Sequence, residues 1–300
     1  MYPVLLEIPT PWGPVPVQSY GTLLALSLVA GWALLRYMGA ARGADRRVLD
    51  RAFVVSVLAG VLGARLLYVL TDPGRFAGVL DALDPRHGGL VAYGGFVGGL
   101  LGAAAALRWT DRAAASSSTA PSLAAFGDLA APGLALGLGL TRIGCYLFGC
   151  DYGRPLGDGA PAWLRQLGTF PRWPDGSGSP PFLHHVARYG LSPFADASLP
   201  VHPAQLYASA AGFVLLAVAL GVGARRRFEG EVLLSVTALY AAWRFVVELV
   251  RDDPERGQVL GLSTSQAISL VLFPVAVLLY ARLALRARSA RGAPPEAATD

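Results

Sequence analysis

The chain has 300 residues, of which 54% are hydrophobic and 15% are charged, and its mean hydropathy is +0.47. These values exclude an ordinary soluble domain, in which about 25% of residues are charged, and favour a membrane protein. The net charge of +5 would suit a nucleic-acid partner. We expect no such partner, because the arginines follow the pattern of membrane topology described below.

Seven apolar segments predict seven transmembrane helices, since a helix needs about 20 mostly apolar residues to cross a bilayer. Four of the underlying runs carry no charged residue. The fold class is therefore predicted as all-α, with a polytopic membrane domain over residues 1–285. The predicted spans lie near residues 18–38, 52–71, 88–108, 124–149, 203–224, 231–251 and 262–284.

The distribution of arginine predicts the orientation. All 25 basic residues are arginine; fourteen fall in the segments on one side of the predicted helices and eight in those on the other. Because cytoplasmic segments carry the excess of positive charge, we expect the N-terminus outside and the C-terminus inside. No positively charged stretch precedes the first apolar run, so we expect that helix to be retained. Residues 286–300 are predicted as a disordered cytoplasmic tail.

Residues 155–202 form the longest predicted connection, and they are dense in proline, glycine and tryptophan. The segment is too long for a plain loop and too apolar for simple disorder. We therefore predict a small ordered lid on the outer side of the membrane.

Glycines on the third predicted helix recur at four-residue spacing, at Gly94, Gly98 and Gly102. Such a face lets two helix backbones approach closely in lipid. The spacing therefore predicts tight packing against a neighbouring helix.

Three arginines lie within predicted spans, at Arg65, Arg142 and Arg244, six or seven residues before the outer ends of their helices. That spacing places them roughly 10 Å below the outer surface. Placing one arginine side chain in the hydrocarbon of the membrane costs at least about 2.5–3.5 kcal/mol. Each of the three therefore needs an anionic partner. Glu248 lies one turn after Arg244 and three residues before Arg251, which predicts a ladder along one helix face. Arg65 and Arg142 are predicted to lack carboxylate partners and to bind a lipid phosphate, the alternatives being structural ion pairs or snorkelling.

Several motifs, in order from Val15 to Gln266, resemble those of the prolipoprotein diacylglyceryl transferase family. The clearest is RIGCYLFGCDYGRP at 142–155, which is similar to the family signature. The others are VPVQSYGTLLAL, GVLGARLLYVL, GGLVAYGGFVGG, FGDLAAPGLALGLGLTRIG, VHPAQLY and YAAWRFVVELVRDDPERG.

The resemblance implies transfer of a diacylglyceryl group from phosphatidylglycerol to the lipobox cysteine of a prolipoprotein, with release of glycerol phosphate. It also implies a site that faces the outer leaflet of the cytoplasmic membrane. We expect a monomer that needs no cofactor and no metal.

The resemblance also assigns site residues. The catalytic set is Arg142 and Arg244, which would hold the phosphate, with Tyr93 and Tyr240. The substrate-binding set is Tyr20, Arg65, Tyr68, Cys145, Cys150, Gly153, Arg154, His202, Gln205, Tyr207, Glu248 and Arg251.

Three motif positions depart from the family pattern. Tyr93 stands where relatives commonly carry histidine, Cys145 where they carry asparagine, and Cys150 where they carry glutamate. The proton acceptor for the thiol is therefore open, with His202 as one candidate. The cysteines are packing residues, a disulfide, or a nucleophile at Cys150. On a continuous helix they point about 140° apart, but a helix that ends at Gly149 would let them bridge.

Two other functions stay open at this stage. One is a related enzyme that uses the same lipid site with a different acceptor. The other is a lipid-binding or transport protein without catalysis, although the polar residues occupy only the outer half of the predicted spans.

Overall fold

The computed structural model describes residues 2–71, 73–76, 78, 81–82, 89–113, 120–173, 177–252 and 257–292. Within these residues the chain is mostly helical and has no closed sheet, which confirms the predicted all-α class. The helices are α1 (Ser19–Ala40), α2 (Arg46–Thr71), α3 (Ala92–Ala113), α4 (Leu123–Phe148), α5 (Ala162–Leu167), α6 (Pro180–Tyr189), α7 (Ala204–Ala224), α8 (Glu231–Val247) and α9 (Thr264–Gly292).

Six helices are long and apolar enough to cross a membrane, namely α1, α2, α4, α7, α9 and α8 with the 3-10 turn Glu248–Val250 that follows it. The chain is therefore a multi-pass membrane protein. Helix α3, the predicted third span, has 22 residues but is not among the six found in the described part of the chain. The many glycines of α3 contribute no apolar side chain and lower its hydropathy. The seventh span stays a prediction, and so does the orientation of the protein in the membrane.

Two short antiparallel hairpins accompany the helices, and neither was predicted. Strand β1 (Val4–Thr10) pairs with β2 (Gly13–Gln18), and β3 (Gln258–Val259) pairs with β4 (Leu262–Ser263). The first hairpin turns at a glycine with φ +114°, a conformation open to glycine alone at low cost. Helix α1 begins directly after this hairpin.

The last helix is longer than predicted. Helix α9 continues to Gly292, so residues 286–292 are helical and not disordered. The stretch from 281 is rich in alanine, leucine and arginine, which are strong helix formers. Residues 293–300, the rest of the predicted tail, lie outside the described residues.

The described chain divides into two compact units, residues 32–129 and residues 1–31 with 130–300. In the first unit, α2 and α3 pack through glycines, as predicted. A Cβ atom on Gly63 would lie 2.4 Å from the carbonyl oxygen of Gly94, and one on Gly98 would lie 2.3 Å from that of Ala59. The two backbones are therefore in direct contact along this face.

In the second unit, α4 packs against the first part of α1 and against α7. A Cβ atom on Gly144 would lie 3.0 Å from the Cα atom of Tyr20 in α1. The hydroxyl of Ser209 in α7 donates to the carbonyl of Gly139 in α4 at 2.8 Å. These contacts place the end of α4 beside the starts of α1 and α7, where the candidate site lies.

The segment predicted as a lid carries α5 and α6 and has its own buried residues. Phe170, Val201 and His185 are fully buried, and Phe170 and Val201 pack with Tyr152. Isolated antiparallel bridges between backbone segments join Pro155 to Val201, Pro171 to Ala197 and Arg172 to Gly178. Its position on the outer side of the membrane stays a prediction.

The glycine contact between α2 and α3 predicts a sharp sensitivity to added volume. We expect Gly63→Ala to lower the free energy of unfolding by about 1–3 kcal/mol, because the new methyl group meets backbone and not a flexible side chain. The measurement is the thermal unfolding midpoint of the protein in detergent. Gly221→Ala in α7 is the matched control, since nothing lies within 4 Å of its Cβ position. An unchanged midpoint for Gly63→Ala would contradict the packing.

Buried His185 predicts that the lid loses stability in acid. Burial, and then the charge of His184, lower the pKa of His185 from 6.5 to about 4, while Asp252 acts in the opposite direction. Between those pH values the unfolded chain binds the proton and the folded chain does not. Stability should fall by up to about 1.4 kcal/mol per pH unit from pH 6.5 down to pH 4.

Thermal midpoints recorded from pH 7 to pH 4 test this expectation. His185→Phe should flatten the pH dependence, although it also removes the acceptor for the N–H of Leu199. The His184→Phe variant should keep most of the pH dependence of the thermal midpoint. Equal slopes in the wild type and in His185→Phe would assign the acid sensitivity to another group.

Candidate functional site

The site begins where helix α4 ends. The N–H groups of Gly149 and Cys150 both donate to the carbonyl of Cys145, at 2.8 and 3.1 Å, and Gly149 has φ +94°. This arrangement is a common way to close a helix with glycine. Asp151 follows with φ +59°, which is unusual for a residue other than glycine. The two left-handed residues turn the chain back toward the last turns of α4.

The carboxylate of Asp151 bridges two arginines. One oxygen pairs with Nη1 of Arg142 in α4, and the other pairs with Nη2 of Arg251, just after the turn that ends α8. The side chains of Arg142, Asp151 and Arg251 are 22%, 28% and 7% exposed. We call these three residues the Asp151 cluster.

The prediction that Arg142 lacks a carboxylate partner is therefore wrong. Asp151 lies outside the helix, so helical spacing does not reveal the pair, and only the left-handed backbone at Asp151 brings the carboxylate back. Arg251 likewise has Asp151 as its ion-pair partner, and the predicted step of the ladder from Glu248 to Arg251 stays a prediction.

The cluster carries a net positive charge. Burial acts to raise the pKa of Asp151, but the charges of Arg142 and then Arg251 outweigh it and hold that pKa below its usual range. Asp151 is therefore ionised at neutral pH. The three side chains sum to one positive charge, in a setting where a single anion is a favourable ligand.

A set of backbone hydrogen bonds holds the segment after Asp151. The N–H of Gly153 donates to the carbonyl of His202 at 3.0 Å, and the N–H of Arg154 donates to that of Val250 at 2.8 Å. The N–H of His202 donates back to the carbonyl of Arg154 at 3.0 Å. A Cβ atom on Gly153 would lie 2.6 Å from the carbonyl oxygen of Val250, so this position requires glycine. The ends of α4 and α8 and the start of α7 are thereby joined.

The two cysteines lie beside the cluster as free thiols. Cys145 is buried and Cys150 is partly exposed. The Nη1 atom of Arg142 lies 3.9 Å from Sγ of Cys145. A hydrogen bond with Cys145, then burial and the charge of Asp151, raise the pKa of Cys150 above its ordinary value. Cys150 is therefore a neutral thiol at pH 7, which disfavours the hypothesis that it is a nucleophile.

Among the described residues, Cys145, Cys150 and Asp151 offer three donor atoms within 4.8 Å of one another. A divalent cation there would face the guanidinium charges of Arg142 and Arg251. The charge balance of the cluster therefore favours an anion over a metal ion.

A second charged group lies near the end of α8. Nη2 of Arg244 lies 2.8 Å from a carboxylate oxygen of Glu248, one helical turn later, so this step of the predicted ladder is confirmed. The same nitrogen donates to the hydroxyl of Ser265 at the start of α9, also at 2.8 Å. Ser265 was not predicted as a site residue, since nothing in its local sequence marks it.

Polar side chains from α1 and α7 lie near the cluster. Tyr20 packs on Gly144, one turn from the end of α4. The side-chain amide of Gln205 donates to the carbonyl of Cys150 at 2.6 Å. His202 Nδ1 lies 3.3 Å from the hydroxyl of Tyr207, and burial followed by the charge of Arg154 lowers its pKa. His202 is therefore neutral at pH 7.

Tyr240 in α8 is close enough to act electrostatically on Arg142. The structure thus gathers Tyr20, Arg142, Cys145, Cys150, Gln205, Tyr240 and Arg251 around the end of α4.

The remaining predicted residues belong to the unit of residues 32–129. Nε of Arg65 donates to the carbonyl of Ala82 at 2.7 Å, and its guanidinium lies 5.6 Å from the centre of the Tyr68 ring. Its Nη1 donates to the carbonyl of Gly89 at 3.2 Å. Tyr93 is the second residue of α3 and is half-buried. Arg65 and Tyr68 thus form one local group within this unit.

Comparison with known proteins places these features in a family. A family model described as prolipoprotein diacylglyceryl transferase matches residues 3–282. The phosphatidylglycerol–prolipoprotein diacylglyceryl transferase of Clostridium tetani is 29% identical over 93% of this chain and 97% of its own length. A similarly named protein of Thermus thermophilus is 32% identical over 89% of this chain and 93% of its own. The phosphatidylglycerol–prolipoprotein diacylglyceryl transferase 2 of Clostridium perfringens is 30% identical over 92% of this chain and 94% of its own length.

The bridge at Asp151 predicts a loss of stability when its charge is removed. Asp151→Asn would leave Arg142 and Arg251 facing each other without the carboxylate, at a cost of up to about 3 kcal/mol because the group is only partly exposed. The thermal midpoint in detergent measures the effect. Asp158→Asn, in an exposed turn of the lid, is the matched control. A shift no larger than that of the control would show that the bridge contributes little.

Proposed function

The chain belongs to the prolipoprotein diacylglyceryl transferase family, and on that premise we propose that it transfers a diacylglyceryl group from phosphatidylglycerol to the lipobox cysteine of prolipoproteins. Glycerol phosphate is the other product. The enzyme acts as a monomer in the cytoplasmic membrane, with its site open to the outer leaflet. The prolipoprotein partner presents its thiol through its signal peptide.

The Asp151 cluster is the observation that carries this proposal. Its three side chains sum to one positive charge, and the phosphodiester of phosphatidylglycerol carries one negative charge. Arg142 has a planar guanidinium that can hold two phosphate oxygens at once. Because Asp151 occupies one edge of each guanidinium, it fixes their orientation while leaving the cluster cationic.

The transfer forms one bond and breaks one. The thiolate sulfur of the prolipoprotein attacks the terminal glyceryl carbon, a C–S bond forms, and the C–O bond to the phosphate breaks. The electron pair of that C–O bond stays on the departing glycerol phosphate, whose negative charge therefore grows. Arg142 stabilises that growing charge, and this stabilisation is stronger in the transition state than in the ground state.

The side chains around the cluster have supporting roles in this proposal. Arg244 binds the phosphate as a second cation, held in place by Glu248 and Ser265. Tyr20 and Tyr240 orient the head group. Arg65, Tyr68 and Tyr93 are proposed as substrate-binding residues on the family resemblance alone.

The thiol proton must leave before or during attack, since a thiol with a pKa near 8.5 is mostly protonated at neutral pH. Tyr93, at the family histidine position, and His202 are the two candidate acceptors. His202 is neutral at pH 7 because burial and Arg154 lower its pKa, so it can take up a proton. Loss of activity in His202→Gln but not in Tyr93→Phe would assign the acceptor to His202.

The proposed activity is tested by complementation of a bacterial strain depleted of its own diacylglyceryl transferase. The expected result is growth, with mass spectrometry of a lipobox peptide showing the added diacylglyceryl group. Binding of phosphatidylglycerol without rescue would instead indicate a different acceptor. Absence of both transfer and binding would contradict the proposal.

Variants assign the phosphate ligands. We expect Arg142→Ala and Arg244→Ala each to lower turnover at least 100-fold, the size of effect seen when a transition-state donor is removed. Arg165→Ala is the control, because this arginine of the lid segment is partly exposed and donates to the backbone carbonyl of Gly157. Near-normal rates in both variants would refute the assignment, whatever the outcome of complementation.

A further inference from the structure

The two cysteines of the chain lie together although they are five positions apart in the sequence. The chain has two cysteines in all. Cys145 is in the last turn of α4, and Cys150 follows the left-handed Gly149. The N–H of Cys150 donates to the carbonyl of Cys145 at 3.1 Å, and the two Sγ atoms lie within 4.8 Å of each other. On a continuous helix the side chains would point about 140° apart, so the end of the helix creates this pair.

The two thiols differ in accessibility. Cys145 is only 4% exposed, whereas Cys150 is partly exposed. A reagent that enters the site therefore meets Cys150 first. Cys145 lies within reach as the second thiol, because its Sγ atom is within 4.8 Å of that of Cys150, whereas a disulfide needs about 2.05 Å.

We propose that Cys145 and Cys150 form a dithiol that an oxidant of the disulfide class slowly converts into an intramolecular disulfide, which weakens the Asp151 cluster. This goes beyond the proposed transfer reaction. Formation of the bridge does not depend on that reaction, while its effect on turnover rests on the proposed function.

The oxidation is a balanced exchange. Cys150, as the thiolate, attacks one sulfur of the oxidant, a mixed disulfide forms, and the first thiolate of the oxidant leaves. Cys145 then attacks the Cys150 sulfur and expels the second thiolate. The protein loses two protons and two electrons, and the oxidant takes up both as two thiols.

The reduced pair contributes to the cluster directly. Sγ of Cys145 lies 3.9 Å from Nη1 of Arg142 and within 4.8 Å of a carboxylate oxygen of Asp151. A disulfide has no S–H group, so oxidation removes a polar S–H group from beside the carboxylate. The carbonyl of Cys150 accepts a hydrogen bond from the side-chain amide of Gln205 at 2.6 Å, and the movement of Cys150 weakens this bond. Both changes act on the group that orients Arg142.

The surroundings fit a slow and reversible reaction. On the proposed orientation the pair faces the outer side of the membrane, where disulfides persist. The hydrogen bond with Cys145, and then burial, raise the pKa of Cys150, so few molecules carry the thiolate at neutral pH. The exchange therefore depends on a disulfide reagent and accelerates as the pH rises.

The test uses the full-length protein in detergent with phosphatidylglycerol, incubated with oxidised glutathione and then alkylated. Trypsin cuts after arginine but not before Pro155, so one peptide, residues 143–165, holds both cysteines. We expect this peptide to be lighter by two hydrogen atoms and to take up no alkylating reagent. We expect transfer activity to fall at least fivefold and to return after treatment with dithiothreitol.

Cys145→Ser and Cys150→Ser are the matched variants, each compared with its own untreated sample. Neither should lose activity reversibly through an internal bridge. A wild-type peptide that remains fully alkylated, or one that carries only glutathione, would overturn the proposal. A bridge that forms without a change in activity would overturn its link to the cluster. Absence of activity in the reduced protein would count against the proposed function, while the peptide result still decides whether the bridge forms.

Discussion

The interaction on which the site depends is the contact of one carboxylate, Asp151, with two arginines. Arg142 comes from α4 and Arg251 from the end of α8, so the bridge joins elements that are distant in the sequence. Without the carboxylate, the two cations would repel in a setting of low dielectric. With it, the cluster keeps one positive charge, which is enough to attract a phosphodiester and small enough to be tolerated near lipid.

The backbone around Asp151 makes that contact possible. Gly149 and Asp151 both adopt left-handed conformations, and the segment that follows is hydrogen-bonded on one side to His202 and on the other to Val250. The buried lid residue Phe170 packs near Gly149, with its ring 3.3 Å from the Cβ position. The lid segment therefore helps to support the Asp151 cluster, because its core packs against the turn that presents the carboxylate.

Features with a regular period were predictable from the sequence, and features that depend on irregular backbone were not. Apolar runs revealed the long helices, the spacing of Gly94 and Gly98 revealed the contact of α3, and the four-residue spacing of Arg244 and Glu248 revealed their ion pair. The partner of Arg142 was missed because it lies beyond the helix end. The N-terminal hairpin was not predicted because prolines at Pro9, Pro14 and Pro16 interrupt its strands, and proline is not typical of a strand interior.

The cysteines and Asp151 lie together at the end of α4 and act on the same arginine. The family pattern that the sequence resembles leads one to expect glutamate at position 150, whereas this chain has Cys150 there and contacts Arg142 through Asp151. A shift of one residue would normally turn the side chain away, but φ +59° at Asp151 returns it to Arg142. A glutamate at position 150 in addition to Asp151 would bring the cluster to zero net charge and weaken its attraction for a phosphate. A neutral side chain at position 150 therefore preserves the positive charge of the Asp151 cluster, and a thiol meets that requirement while adding a group that can be oxidised.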